Sequence, residues 1–270
     1  MAINSLSDFS GCQVEELIFY ITGTRTTVAN NLFSMFGLAS TAGTGTLAGS
    51  DVVSGVVPTD AITGCPVIQD FPTSGVGYIT NIHASCSTNA NYWISDILFK
   101  AGAYSFNASQ TLSGQPSFAS RCPDYTGGSA YGKGNRIIYE QVTAATGNQS
   151  VAVTYTNQDG TTGRTTGTVG TGAAYTVGRC LVLPLQAGDT GVQMIESVTG
   201  TVASAGTFNI LVVRPLFMYK QDTISNNYML FDAIKLGMPK IYQDSALAVY
   251  VYAPGTSSGT AFFTMEIRSK

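Results

Sequence analysis

Charge is what this chain has least of. Only 11% of its 270 residues are Asp, Glu, Lys or Arg, against about 25% in an ordinary soluble domain. Thirteen basic side chains face 16 acidic ones, for a formal charge of −3. So thin a cationic surface neutralises few phosphates, and no DNA or RNA partner is expected. The chain has one histidine, His83, so a nucleophile activated by an imidazole base has a single candidate partner. Long apolar runs are also missing. The most apolar stretch, Ile210 to Tyr219, is broken by Arg214 and Pro215 and falls short of the ~20 residues a membrane helix needs, so no membrane span is expected. Within MAINSLSDFSGCQVEELIFY there is no basic leader, and Asp8, Glu15 and Glu16 interrupt any apolar segment; a secretory signal is not expected. The five cysteines (Cys12, Cys65, Cys86, Cys122 and Cys180) are odd in number and scattered, with no CxxC pair. They read as free buried thiols, not as a disulfide framework or a zinc site. Two sequons, at Asn107 and Asn148, carry little meaning without a secretory route.

What the chain has in quantity is small and β-branched residues. Its 33 Thr and 25 Ser stand beside 30 Gly, together about a third of the sequence, a composition that builds short strands and turns. A hydrophobic content of 44% is enough for a sizeable core. A surface so poor in charge lacks the usual defence against self-association, which points to an assembly component covered by partners.

Along the chain, residues 7 to 20 are compatible with a short helix capped by Ser7 or Asp8, with Val14, Leu17 and Ile18 on one face. Ala39 to Gly55 is small and nearly uncharged, and reads as an extended arm lying on its own domain or on a neighbouring subunit. From Pro66 onward the pattern is β: strands are expected over 77–83, 92–99, 136–142, 151–156, 181–185, 191–198 and 208–213. Thr161 to Thr171 is a Thr/Gly ribbon expected to project from the body. Leu230 to Lys235 is compatible with one helical turn stopped at Gly237 and Pro239. Residues 246–253 and 261–267 are expected to pair as a hairpin. Strands recurring without amphipathic helices between them exclude βαβ crossovers. The expected fold is all-β: an antiparallel, jelly-roll-like β-sandwich over residues 63–270, with an N-terminal arm, residues 1–62, containing a short helix.

Residues that could carry chemistry have simpler explanations. In a strand His83 and Ser85 share a face while Cys86 takes the other, so a Cys–His pair is disfavoured against a histidine bonded to backbone at a strand end. Glu140, Glu196 and Glu266 lie in expected strands; a hydrolytic carboxylate pair is conceivable, but outward-facing charges that discourage edge pairing are the ordinary reading. Glu15 and Glu16 read as a solvated face, Asp159 and Asp189 as turn residues. There is no calcium-loop pattern, and Gly127-Gly128 and Gly132-x-Gly134 do not open a helix after a strand, so no phosphate loop is indicated. Tyr78, Tyr92, Trp93, Tyr104, Tyr125 and Tyr131 would suit a sugar-stacking platform, but at strand spacing aromatics are more often core or interface. No catalytic, cofactor-binding or metal-binding residue is therefore assigned, no cofactor is expected, and the chain does not read as an enzyme.

Certain turns and strand ends are more specific. Tyr155-Thr156-Asn157-Gln158-Asp159-Gly160 followed by Gly163-Arg164, then Leu185-Gln186-Ala187-Gly188-Asp189-Thr190-Gly191-Val192, then Leu211-Val212-Val213-Arg214-Pro215-Leu216, resemble in order a group of tailed-bacteriophage virion proteins. Gly237-Met238-Pro239-Lys240-Ile241 and the C-terminal strands are similar to the same group. The resemblance covers roughly residues 75–270 and leaves the first sixty or so aside. It implies a structural protein of the phage particle, a capsid decoration or cement protein located in the virion and assembled in the host cytoplasm. Its implied partners are the major capsid protein or other virion proteins and further copies of itself, with a trimer favoured. The arm, residues 1–60, is the expected shell-binding element. The alternative is a carbohydrate-recognition module on a tail or receptor-binding structure.

Overall fold

The computed structural model describes residues 6–72, 75–107, 109–200, 205–221 and 229–270. Helix α1 (Leu6–Ser10) is followed by β1 (Gln13–Ile21), β2 (Asn31–Ser34), β3 (Val76–Cys86), β4 (Ala90–Ser105), β5 (Ser109–Thr111), β6 (Arg136–Thr143), β7 (Ser150–Asn157), β8 (Arg164–Thr165), β9 (Val169–Gly170), β10 (Arg179–Leu183), β11 (Val192–Gly200), β12 (Thr207–Gln221) and β13 (Met229–Asp232). Helix α2 (Ala233–Leu236), β14 (Lys240–Tyr242), β15 (Leu247–Ala253) and β16 (Ala261–Ser269) complete the chain. Every pairing between these strands is antiparallel. The fold is all-β with a short N-terminal helix, as the composition implies.

Three sheets are stacked. The first runs β1-β16-β3-β13 with β14 added beside β3; the second closes into a six-stranded barrel, β10-β2-β15-β4-β12-β6; the third runs β5-β11-β7-β8 with β9 beside β7. The barrel is the middle layer, and its strands are therefore buried on both faces. On β4, Tyr92 and Ile94 point out toward the first sheet while Trp93 points into the barrel. On β12, Leu211 and Val213 point in while Ile210 and Val212 point toward the third sheet. That two-sided burial is why YWISDILF and FNILVV, mostly apolar, are buried continuously and not alternately. The first interface packs Leu17, Phe19, Ile79, Ile82, Phe263 and Met265 against Phe33, Val249 and Val251 of the barrel. The other packs Val151, Val153, Tyr155 and Ile195 against Phe99, Ile137, Tyr139 and Phe208. Pro215 sits inside β12 at a bulge, where its missing N–H is tolerated.

Several expectations are corrected. Residues 13–21 form a strand, not a helix; the buried residues Leu17, Phe19 and Ile21 alternate with exposed ones at period two, and only 6–10 are helical. The side chains of residues 1–7, Ser7 among them, lie outside the described set. The last two strands do not form a hairpin: β15 joins β2 and β4 in the barrel, whereas β16 crosses to the first sheet between β1 and β3. The Thr/Gly ribbon does not project but lies along β7, where the Thr166 hydroxyl accepts from Val153 N at 3.0 Å. Within the first 62 residues, β1 and β2 are integral strands of two sheets. The helical turn near residue 233 is present, capped by Asp232 and closed by Gly237 at φ 64°. The Asn107 sequon includes Ala108, which lies outside the described residues.

Candidate functional site

The densest buried chemistry lies inside one end of the barrel. Lys100 of β4 sits opposite Leu211 of β12, a barrel-interior residue, and so shares its face. Asn209, two residues away on β12, lies opposite Glu140 of β6. All three side chains are buried, at 5%, 0% and 1% exposure. Asn209 Nδ2 donates to Glu140 Oε2 at 2.8 Å and to Leu47 O at 2.7 Å, and its Oδ1 accepts from Gly49 N at 2.8 Å. Lys100 Nζ donates to Thr46 O at 3.1 Å and lies 4.9 Å from the centroid of the Phe36 ring. Burial pushes the Lys100 ammonium below its ordinary range, opposed chiefly by the Glu140 carboxylate. A cleft of about 620 Å³, lined among others by Phe36, Thr46, Gly49, Val56 and Lys100, opens beside it.

These bonds also settle where the small-residue arm lies. Residues 46–58 run over the barrel of their own chain. Val56 exchanges two backbone bonds of 2.9 Å with Lys100, Gly102 N donates to Asp51 O, and Tyr104 Oη donates to Val52 O. Close approach requires glycine here: a Cβ on Gly102, whose φ is 151°, would collide with Asn209 Oδ1, and one on Gly49 would meet the backbone of Gly102.

The residues singled out by their chemistry are dispersed. Glu140 is in the barrel, Glu196 in the third sheet and Glu266 in the first, so no pair of them forms a hydrolytic site. Glu140 reverses its expected orientation and faces inward. Glu196 accepts from Thr156 Oγ1 and Gly163 N. Glu266 binds Arg268 and Thr80. His83 lies on the outer face of the first sheet, paired with Thr264 and Leu230. Cys86 faces inward, its thiol 2.8 Å from Tyr219 Oη and pushed up to about 11 by burial. No Cys–His pair is assembled. Of the six aromatics, Tyr92, Trp93 and Tyr104 are core residues, and Tyr125 meets Tyr131 edge-on at 5.3 Å near the surface. Among the described residues no three His, Cys, Asp or Glu side chains group as metal ligands, and no helix is long and apolar enough to cross a membrane.

The turn and strand-end motif residues converge on two carboxylates. Asp189 accepts from Arg164 Nε and Nη2 at 2.9 and 3.0 Å, from Tyr155 Oη at 2.7 Å and from Asn157 Nδ2 at 2.8 Å. Those four bonds hold its carboxyl down at about 2, the Arg164 pair contributing most. Asp96, fully buried, accepts from Arg121, from Arg214 at 3.1 Å, from Ser245 Oγ at 2.9 Å and from Ala246 N at 3.0 Å. Both clusters fasten turns and strands together.

The outward face of the first sheet carries an exposed, part-apolar row beside an acidic one, Glu16, Glu266, Asn81 and Asp232. Ile18, Thr264, His83 and Leu230 form one cross-strand row, with Tyr20 packed edge-on against Phe262 at 5.8 Å on one side and Glu16 beside Glu266 on the other. Val14, Ile18 and Leu230 are each about half exposed. At the β1 edge the inward-turned Glu15 carboxylate accepts from Gln69 N at 2.9 Å, a device that discourages further strand addition.

No family model matches the chain, and no curated protein matches it. Matched solved structures include infectious bursal disease virus strain Gt, at 10% identity over 96% of this chain and 81% of that one, with a TM-score of 0.14. The T=1 particles derived from that virus match at 11% over 96% and 78%, TM-score 0.18. Its VP2 subviral particle matches at 12% over 96% and 81%, TM-score 0.16. These are virus particles, though not of a tailed bacteriophage, and scores this low establish no common fold.

Proposed function

We propose that this chain is a non-enzymatic structural protein of a virus particle, and more specifically a capsid decoration or cement protein that acts as a homo-oligomer, favoured as a trimer. The observation that carries the reading is the pairing of two features. Glu140, Glu196 and Glu266 are each committed to internal bonds in three different sheets, while the first sheet turns the uncharged side chains of Ile18, Thr264 and Leu230 to solvent in one row with His83. Such a face is worth ~25 cal/mol per Å² once covered, so ~800 Å² per partner repeated over a shell adds up by avidity. The ordered motif resemblance of residues 75–270 supports the phage assignment.

The division into an arm, residues 1–62, and a body, residues 63–270, enters the proposal with the arm contributing to shell contact. Because β1 and β2 belong to that arm, deletion of it is an unsuitable test. Ile18→Glu and Leu230→Glu are the suitable substitutions. Gold-labelled antibody on intact particles is expected to decorate the head, and purified wild-type protein to cosediment with shells that lack it. The two variants are expected to fold but stay in the supernatant. Label on the tail, or wild-type binding retained in both variants, overturns the proposal. The surface pair Tyr125 and Tyr131 favours the second reading, a carbohydrate-binding module, which a glycan array reads directly.

A further inference from the structure

We propose that Lys100 and Asn209 join through an intramolecular isopeptide bond, with Glu140 as the proton carrier, covalently linking β4 to β12 inside the barrel. The three residue types that this condensation needs occur together on the inward face of neighbouring strands. Asn209 is hydrogen-bonded to Glu140 directly. Lys100 stands diagonally across the β4–β12 ladder from Asn209, a separation that a long side chain spans. Their polar ends bond to adjacent carbonyls of the same arm segment, Lys100 to Thr46 O and Asn209 to Leu47 O.

The surroundings match the steps of the reaction. Lys100 must be neutral to attack, and burial favours the neutral amine; its proton passes to the Glu140 carboxylate as the side chain swings from Thr46 O toward Asn209. Nζ then forms a bond to Asn209 Cγ. The negative charge that develops on Oδ1 falls on an oxygen already accepting from Gly49 N at 2.8 Å, a donor fixed in place before the reaction. Glu140, 2.8 Å from Nδ2, returns a proton to that nitrogen, the Cγ–Nδ2 bond breaks, and nitrogen departs. In sum, a lysine ammonium and an asparagine carboxamide become one secondary amide and one ammonium ion, with no oxidant or cofactor consumed. The cleft beside Lys100 gives the ammonium a route to solvent. Gly102, bare at the position where a Cβ would strike Asn209 Oδ1, admits the carboxamide to this position.

Intact-mass spectrometry of the purified full-length chain tests the proposal, with allowance for removal of the initiator methionine. The expected mass is lower than that of the sequence by one ammonia, and tandem spectra of a digest are expected to show the Lys100 and Asn209 peptides joined. Lys100→Met, Asn209→Ala and Glu140→Gln, each checked for folding by circular dichroism, are expected to keep the full mass. A wild-type chain at full mass overturns the proposal. So does ammonia loss that persists in Lys100→Met, which would mark cyclisation of the asparagine alone. The joined peptide is sought in the wild-type protein, so that reading is independent of whether any variant folds.

Discussion

Replacing Asp96 by Asn removes one negative charge from a site where it serves two guanidinium groups. Arg121 and Arg214 are 5% and 6% exposed and Asp96 is fully buried. Without the anion, Arg121 keeps its bonds to Pro58 O and Ile97 O, and Arg214 its bond to Lys240 O. Those are neutral acceptors, and two buried cations are left without a counter-charge. Removing one partner of a buried pair typically costs about 3–5 kcal/mol, a large share of the ~5–15 kcal/mol that holds a domain folded. At roughly 2–4 °C per kcal/mol for a chain of this size class, the thermal midpoint is expected to fall by about 6–20 °C. Urea unfolding should show a lower midpoint with an unchanged slope. A triple variant, Asp96→Leu with Arg121→Met and Arg214→Met, is expected to recover part of the loss because no charge then remains buried. A loss below about 1 kcal/mol for Asp96→Asn, or a triple variant weaker than the single one, would refute the assignment of a desolvated charge cluster.

Acid should unfasten the Asp189 cluster selectively. A carboxyl held at about 2 in the fold, below its ordinary value, contributes stability that is complete above the unfolded value and is lost as pH falls toward 2. The difference in thermal midpoint between wild type and Asp189→Asn is thus expected to shrink from pH 6 to pH 2, and a constant gap would contradict it. Burial pushes Cys65 up to about 12 and Cys122 to about 11, and four of the five free cysteines are buried. A thiol reagent at pH 8 should therefore modify Cys12 first in the folded protein and all five only in denaturant. Phe208, fully buried and stacked on Phe106 and Tyr139 at 4.7 and 5.0 Å, should cost about 3–5 kcal/mol as Phe208→Ala, read by the same urea titration.

Strand identity was legible where the sequence alternates or where turn residues bound an apolar run: β6, β7 and β11 fall close to their expected limits. The arrangement of the strands was not. An apolar run such as YWISDILF signals burial on both faces but does not say what lies on each side, and here a closed barrel separates two outer sheets. The 246–267 segment read as a hairpin because its loop has ordinary turn chemistry; the partners of β15 and β16 are set instead by β2 and β1, more than two hundred residues earlier. The buried cluster carries a signal of its own in the sequence. Lys100 and Asn209 are each a lone polar residue within an otherwise apolar stretch, Glu140 follows the apolar Ile137-Ile138-Tyr139, and a polar residue so placed must find a partner inside. Glu140 was read as outward-facing because strand position alone does not distinguish the inside of a barrel from its solvent side.

β4 and β12 run side by side for 16 and 15 residues, about 50 Å at ~3.3 Å per residue. Both outer layers pack on this pair, the first also on β2 and β15 and the third also on β6. A pull that enters through one layer and leaves through the other is thus carried along two extended backbones. It would have to slide them past each other, breaking many cross-strand bonds at once rather than unzipping them singly, which gives the molecule its stiffest response in the direction of that pair.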